Sequence, residues 1–147
     1  MHFWRESVLV TCILAWFIAQ LLKVIHTIVK NKRIDFRRFV GSGGMPSSHS
    51  SFVTSLATAV GLENGFYGSE FAMAAVFAMV VMYDAAGVRR AAGQQAKILN
   101  QIVEEWERAD FVKTDKRLKE LLGHTPKEVF AGALLGILIA FLRHYTF

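Results

Sequence analysis

Apolar residues gather in blocks along this chain, and the blocks are too long for the surface helices of a soluble domain. Residues 8–29 are interrupted only by Thr11, Gln20, Lys23, His26 and Thr27. As a helix they reach roughly 33 Å, enough to cross a bilayer core. Residues 71–88 hold the unbroken run FAMAAVFAMVVMY ahead of Asp84, and residues 129–142 read VFAGALLGILIAFL. Both are predicted to span with their flanking residues. Residues 51–62, SFVTSLATAVGL, match the length of a buried core helix, and extension to 47–67 makes them a fourth, weaker span. A cleaved signal peptide is the alternative for the first block, but its apolar run exceeds the roughly 7–15 residues such peptides use, and no small-residue cleavage site follows. The expected fold is therefore all-α, a multi-pass transmembrane helical bundle. Its spans lie at about 8–29, 47–67, 71–88 and 129–145 in one membrane domain over 1–147, with loops at 30–46 and 89–128.

The second loop has a pattern of its own. Ile98, Leu99, Ile102, Val103 and Trp106 recur at helical spacing opposite Lys97, Gln101, Glu104, Glu105 and Arg108, which predicts an amphipathic helix lying on the membrane or capping the bundle. Leu118, Leu121 and Leu122 repeat among charged residues as far as Gly123, a helix stop. Small residues within the spans, including the GxxxG step from Gly132 to Gly136, allow close helix packing.

Composition strengthens the membrane reading. The chain is 53% apolar and 20% charged with mean hydropathy +0.33, greasier than a soluble domain of 147 residues. The lone Cys12 rules out a disulfide framework or a Cys-rich zinc site, and two prolines without low-complexity runs argue against a linker-rich protein. A net charge of +5 would point to nucleic acid in a soluble protein. Here 14 of the 17 Lys and Arg fall in residues 30–50 and 89–127, so the charge reports orientation. Those loops are expected to face the cytoplasm from the cell membrane, with no nucleic-acid partner.

Three polar clusters at that face can carry chemistry. The loop KNKRIDFRRFVGSGGMPSSHSS brings Gly41, Gly43 and Gly44 to a helix start that Ser47 or Ser48 can cap, with His49 in the first turn. A helix N-terminus beside Arg and Lys is an anion site; the plainer reading is a cap, a turn and a basic membrane anchor. In GHTPKEVFAG, Thr125, Pro126 and Glu128 form a capping box, and the same Glu128, four residues after His124, can fix the imidazole tautomer of a nucleophile or base. Asp84 lies at the end of an apolar span with Arg89 or Arg90 as its partner, either a functional ionisable group or an ion pair orienting the helix. Two histidines, several cations and a Gly/Ser-rich helix start suit phosphoryl transfer. His2, His26 and His144 lack such company and read as interfacial.

MPSSHS and GHTPKEVFAG resemble the second and third signatures of the type-2 phosphatidic acid phosphatase superfamily, which includes lipid phosphatases and vanadium haloperoxidases. More narrowly, the whole chain resembles its small divergent members, described as acid phosphatase/vanadium haloperoxidase-related proteins. Lys30 and Arg37 have the first signature's Lys-to-Arg spacing, with Arg38 in place of the proline. Pro46, Ser47, Ser48 and His49 match Pro-Ser-Gly-His with serine for glycine. His124 and Glu128 match the end of the third signature with glutamate for aspartate, and its Ser-Arg is missing six residues upstream of His124, where Leu118 stands, so Arg89 or Arg90 is the substitute. The resemblance implies that His124 attacks phosphorus to form a phosphohistidine, Glu128 orients it and His49 protonates the leaving oxygen. It implies further that Lys30, Arg37, Ser47, Ser48 and Arg89 or Arg90 hold the phosphate.

The expected function is hydrolysis of a phosphomonoester or diphosphate of lipid or prenyl type. No cofactor or metal is expected, since no Asp, Glu, His and Cys stand at metal-ligand spacing. One rival is a catalytically inactive membrane module that binds phosphorylated lipid or a protein partner through residues 89–128. Another is a transport subunit using Asp84. Four spans are few to enclose a site, which raises the expectation of a homodimer.

Overall fold

The computed structural model describes residues 7–31, 44–109, 118 and 123–146. Among these the chain is all-helical, in five helices: α1 (Val8–Asn31), α2 (Ser48–Asn64), α3 (Ser69–Ala86), α4 (Val88–Arg108) and α5 (Pro126–Thr146). The long apolar blocks have become α1, α3 and α5. Three stretches have the length and apolarity to cross a membrane: Val8–Val29, the near-continuous Ser69–Arg108 and Pro126–Thr146. The shorter α2 is the axis of the bundle, packed against α1, α3 and α5. Both expectations for it therefore meet in one helix, buried like a core element and running among the spans.

What holds these helices together is small residues and hydroxyls, because helices in lipid gain little from hiding one apolar surface against another. Ten of the 17 residues of α2 are buried, and most are Ser, Thr, Ala or Gly. The Ser51 hydroxyl donates to the Ala15 carbonyl of α1 at 3.1 Å, and Thr54 Oγ1 donates to the Ala133 carbonyl of α5 at 3.1 Å. Each such bond is worth about 0.6 kcal/mol. Gly132 and Gly136 make the closest approach: a Cβ on Gly132 would run into the Ser47 carbonyl, and one on Gly136 into the Ser51 carbonyl and Thr54 Oγ1. The GxxxG step is thus the packing contact of α5 on α2. At the end away from the polar clusters, Arg143 Nη1 donates to Ser7 O at 3.2 Å and Thr11 Oγ1 at 2.9 Å, tying α5 to α1.

The sequence-based boundaries shift in one informative way. The third span closes at Ala86, and the amphipathic helix expected within the loop begins two residues later, at Val88. Gly87, with φ −106° and ψ −82°, is the only interruption, since its ψ lies outside the helical range. Of the leucine pattern at 118–122, only Leu118 lies within the described residues.

Candidate functional site

The C-terminal end of α3 and the N-terminal ends of α2, α4 and α5 meet at one end of the bundle, with the last turns of α1 beside them. Three backbone contacts fix this meeting. Ser47 N donates to Glu128 O at 3.0 Å, joining the starts of α2 and α5, and His124 N donates to Ala85 O at 3.1 Å, joining the segment before α5 to α3. Gly123, read from sequence as a helix stop, presses on the backbone of Arg89 and Arg90, where any Cβ would collide.

His124 is 3% exposed. Its Nδ1 lies 3.3 Å from Glu128 Oε2, and that same oxygen accepts from Thr125 N at 2.9 Å while Glu128 N donates to Thr125 Oγ1 at 3.4 Å. The cap and the histidine partner, alternatives from spacing alone, are one group of atoms: Glu128 caps α5 and receives the imidazole Nδ1–H. A proton held there leaves Nε2 with its lone pair. Nε2 is buried and has no hydrogen-bond partner among the described residues. Burial pushes the pKa of His124 below its ordinary value of 6.5; Glu128 works against that shift, and the charges of Lys23 and Arg89 add to it. The neutral imidazole is therefore the form at pH 7.

His49, exposed in the first turn of α2, places its ring centroid 6.2 Å from that of His124, at 61°. The start of α2 is capped by Ser47, whose Oγ accepts from Ser50 N at 3.3 Å and Ser50 Oγ at 3.0 Å. Ser47 is fully buried and its oxygen is engaged in the cap; Ser48 is also buried. Arg89 Nε pairs with Asp84 Oδ2 at 2.6 Å, with both side chains more than a third exposed, so the pair is worth under about 1 kcal/mol. Arg90 is exposed, beside Gly123. The Lys30 side chain and Arg37 lie outside the described residues.

Sequence reasoning missed Lys23, which it treated as one break in an apolar run. Lys23 is 2% exposed and its Nζ donates to Gln20 Oε1 at 2.8 Å. Its side chain lies along Gly44, where an added Cβ would stand 3.2 Å from Lys23 Cγ, and its charge is felt at His124. The signal was present: Gln20 and Lys23 are three residues apart, on one face of a largely apolar helix. An ionisable residue inside a span is by default a functional candidate. The arrangement as a whole is a buried neutral imidazole, a second imidazole, two cations and a helix N-terminus, components that favour an anionic, phosphate-like group.

The Divergent PAP2 family matches the chain over residues 4–139. An uncharacterized membrane protein of Bacillus subtilis (strain 168), YuiD, is 44% identical over 149 residues, covering 95% of this chain and 94% of that protein. No solved structure matches.

Proposed function

The chain belongs to the Divergent PAP2 family, and from that premise we propose that it is a membrane phosphatase working through a phosphohistidine. The observation that carries this reading is the buried Nε2 of His124, left with its lone pair while Nδ1 faces Glu128. In the proposed reaction Nε2 attacks phosphorus, the bond from phosphorus to the ester or anhydride oxygen breaks, and His49 gives its proton to that leaving oxygen. His49 then takes a proton from water, the resulting hydroxide attacks the phosphohistidine, and inorganic phosphate leaves as His124 regains its lone pair. Lys23, Arg89 and the free N–H groups at the start of α2 hold the phosphoryl oxygens, with Lys30, Arg37 and Arg90 as further cations and Ser48 beside them. The site faces the cytoplasm of the cell membrane, and the substrate is a phosphomonoester or diphosphate on a lipid or prenyl chain, which the surrounding bilayer presents. Lipid is the partner this reading requires; a homodimer would serve to enclose the site.

The test is phosphate release by detergent-purified protein from a panel of lipid, prenyl and soluble phosphomonoesters and diphosphates. Quenching in alkaline detergent seeks the phosphoenzyme, whose P–N bond survives alkali and is lost in acid. Turnover is expected in the wild type and absent from His124→Ala and His49→Ala. Well-folded protein that vanadate protects from heating, yet that turns over nothing on the panel, would replace this reading with the inactive binding module.

A further inference from the structure

Helix α4 is turned the opposite way from a helix on a water-soluble protein. At about 100° per residue, Val88, Ile98, Leu99, Ile102 and Trp106 fall within an arc of roughly 100°, with Gln95 the one polar residue among them. These five apolar side chains are between 38% and 59% exposed. The buried residues of α4 are instead Gly93 and Asn100, on the other side of the helix. There Asn100 Nδ2 donates to Leu118 O and Leu118 N donates to Asn100 Oδ1, each at 2.9 Å. The helix thus meets its own protein through a polar face and turns its apolar arc outward.

The spans are built the same way. Helix α1 buries Thr11, Gln20 and Lys23 and exposes Leu9, Ile13 and Phe17, as a helix bathed in lipid should. Only Gly87 separates α4 from the span α3, and among the described helices α4 packs on α3. Its outward apolar arc therefore follows in the chain directly on the exposed apolar side chains Met73, Val76, Phe77 and Val80 of α3. We propose that α4 lies in the headgroup–acyl boundary of the leaflet on the site's side, with phospholipid as the occupant of the Ile98–Leu99–Ile102–Trp106 face. A tryptophan at the end of that face fits, because indole prefers this depth. The helix carries Arg89, Arg90, Lys97 and Arg108 against Glu104, Glu105 and Glu107, close to balance, so apolar burial holds it and anionic lipid is not required. Leu118, bonded to Asn100, then lies on the aqueous side of α4.

The test uses the full chain with Trp106 as its only tryptophan (Trp4→Phe, Trp16→Phe), reconstituted in phosphatidylcholine vesicles. The acyl chains are brominated either close to the headgroup or close to the chain end, and iodide probes from the water. Trp106 emission is expected to be quenched roughly twofold more by the shallow bromine than by the deep one, and little by iodide. Strong iodide quenching without bromolipid quenching would overturn the proposal by placing the face in water. Protection from both, with Ile102→Cys crosslinking between copies in a Cys12→Ser background, would overturn it in favour of a second copy of the chain. Should the tryptophan variant not fold, nitroxides at Ile102→Cys and Glu104→Cys decide the same question. Oxygen must reach Ile102 better than Glu104, and a water-soluble nickel chelate the reverse; equal profiles would sink the idea. None of these readouts depends on turnover.

Discussion

Glu128→Gln separates the two roles that Glu128 combines. The amide oxygen can still accept the Thr125 N–H, so the cap survives, whereas Glu128→Ala removes it. The loss to alanine is about 1 kcal/mol for the cap plus about 1 kcal/mol for leaving Nδ1 of the buried His124 without a partner. A fall of several degrees in the detergent melt is expected, with less than half of that for glutamine. Activity should respond in the other proportion. Without a carboxylate, nothing favours the proton on Nδ1 or compensates the positive charge that develops on the imidazole as Nε2 attacks. The amide can also donate to Nδ1 and so drive the proton onto Nε2. The expected loss in kcat is on the order of 10²- to 10⁴-fold. The pH profile adds a signature. The attacking form is neutral His124, whose pKa burial already holds below 6.5, so kcat/KM falls on an acid limb below pH 6.5. Glu128 is the influence that raises that pKa, and its neutralisation moves the limb further towards acid, while the maximum drops. On the alkaline side the rate falls as His49, whose pKa burial and the Arg89 charge hold below 6.5, loses the proton it donates. The assay is phosphate release across pH 4 to 8, roughly the window in which His titrates, on the best substrate of the panel. Glutamine at the wild-type rate with an unmoved limb, beside an alanine variant that is merely less stable, would refute the orienting role and leave Glu128 as a helix cap.

Two further outcomes follow from the packing and the buried charge. Lys23→Met removes a cation whose field lowers the pKa of His124. The acid limb should therefore move up towards 6.5, while KM rises roughly 10- to 100-fold through loss of one charge-assisted contact to phosphate; an unchanged KM would remove Lys23 from the site. Gly132→Ala forces a methyl into the Ser47 carbonyl and should cost about 1–3 kcal/mol, read as a lower melting temperature together with reduced turnover. Leu134→Ala, on the 68% exposed face of the same helix, should leave both unchanged.

The spans, the capping box and the amphipathic helix were legible in the chain because each rests on local spacing. Apolar length predicts membrane helices, an i,i+4 pair predicts His124 beside Glu128, and Ile98, Leu99, Ile102 and Trp106 predict one helix face. Hydropathy could not tell whether α2 was a core helix or a span, since its Ser and Thr residues are polar by composition. Only the bundle around it supplies the carbonyls of Ala15 and Ala133 that accept their protons. Nor could spacing choose between the cap and the histidine partner for Glu128, because the choice does not exist once one oxygen serves both. Lys23 was hidden for a different reason. Its spacing from Gln20 places the cation on one helix face but cannot say what that face meets, and only the packing of α1 lays Lys23 along Gly44, just before α2. Gly123 carries the same lesson: its lack of a side chain reads as a stop, yet what it permits is contact with the backbone of α4, more than 30 residues earlier in the chain. Which segments become helices and which faces they offer depend on neighbours within a turn or two, and so could be read along the chain. Which ends converge and which polar atoms are left buried depend on contacts between segments far apart in the chain, and so emerge only from the folded bundle.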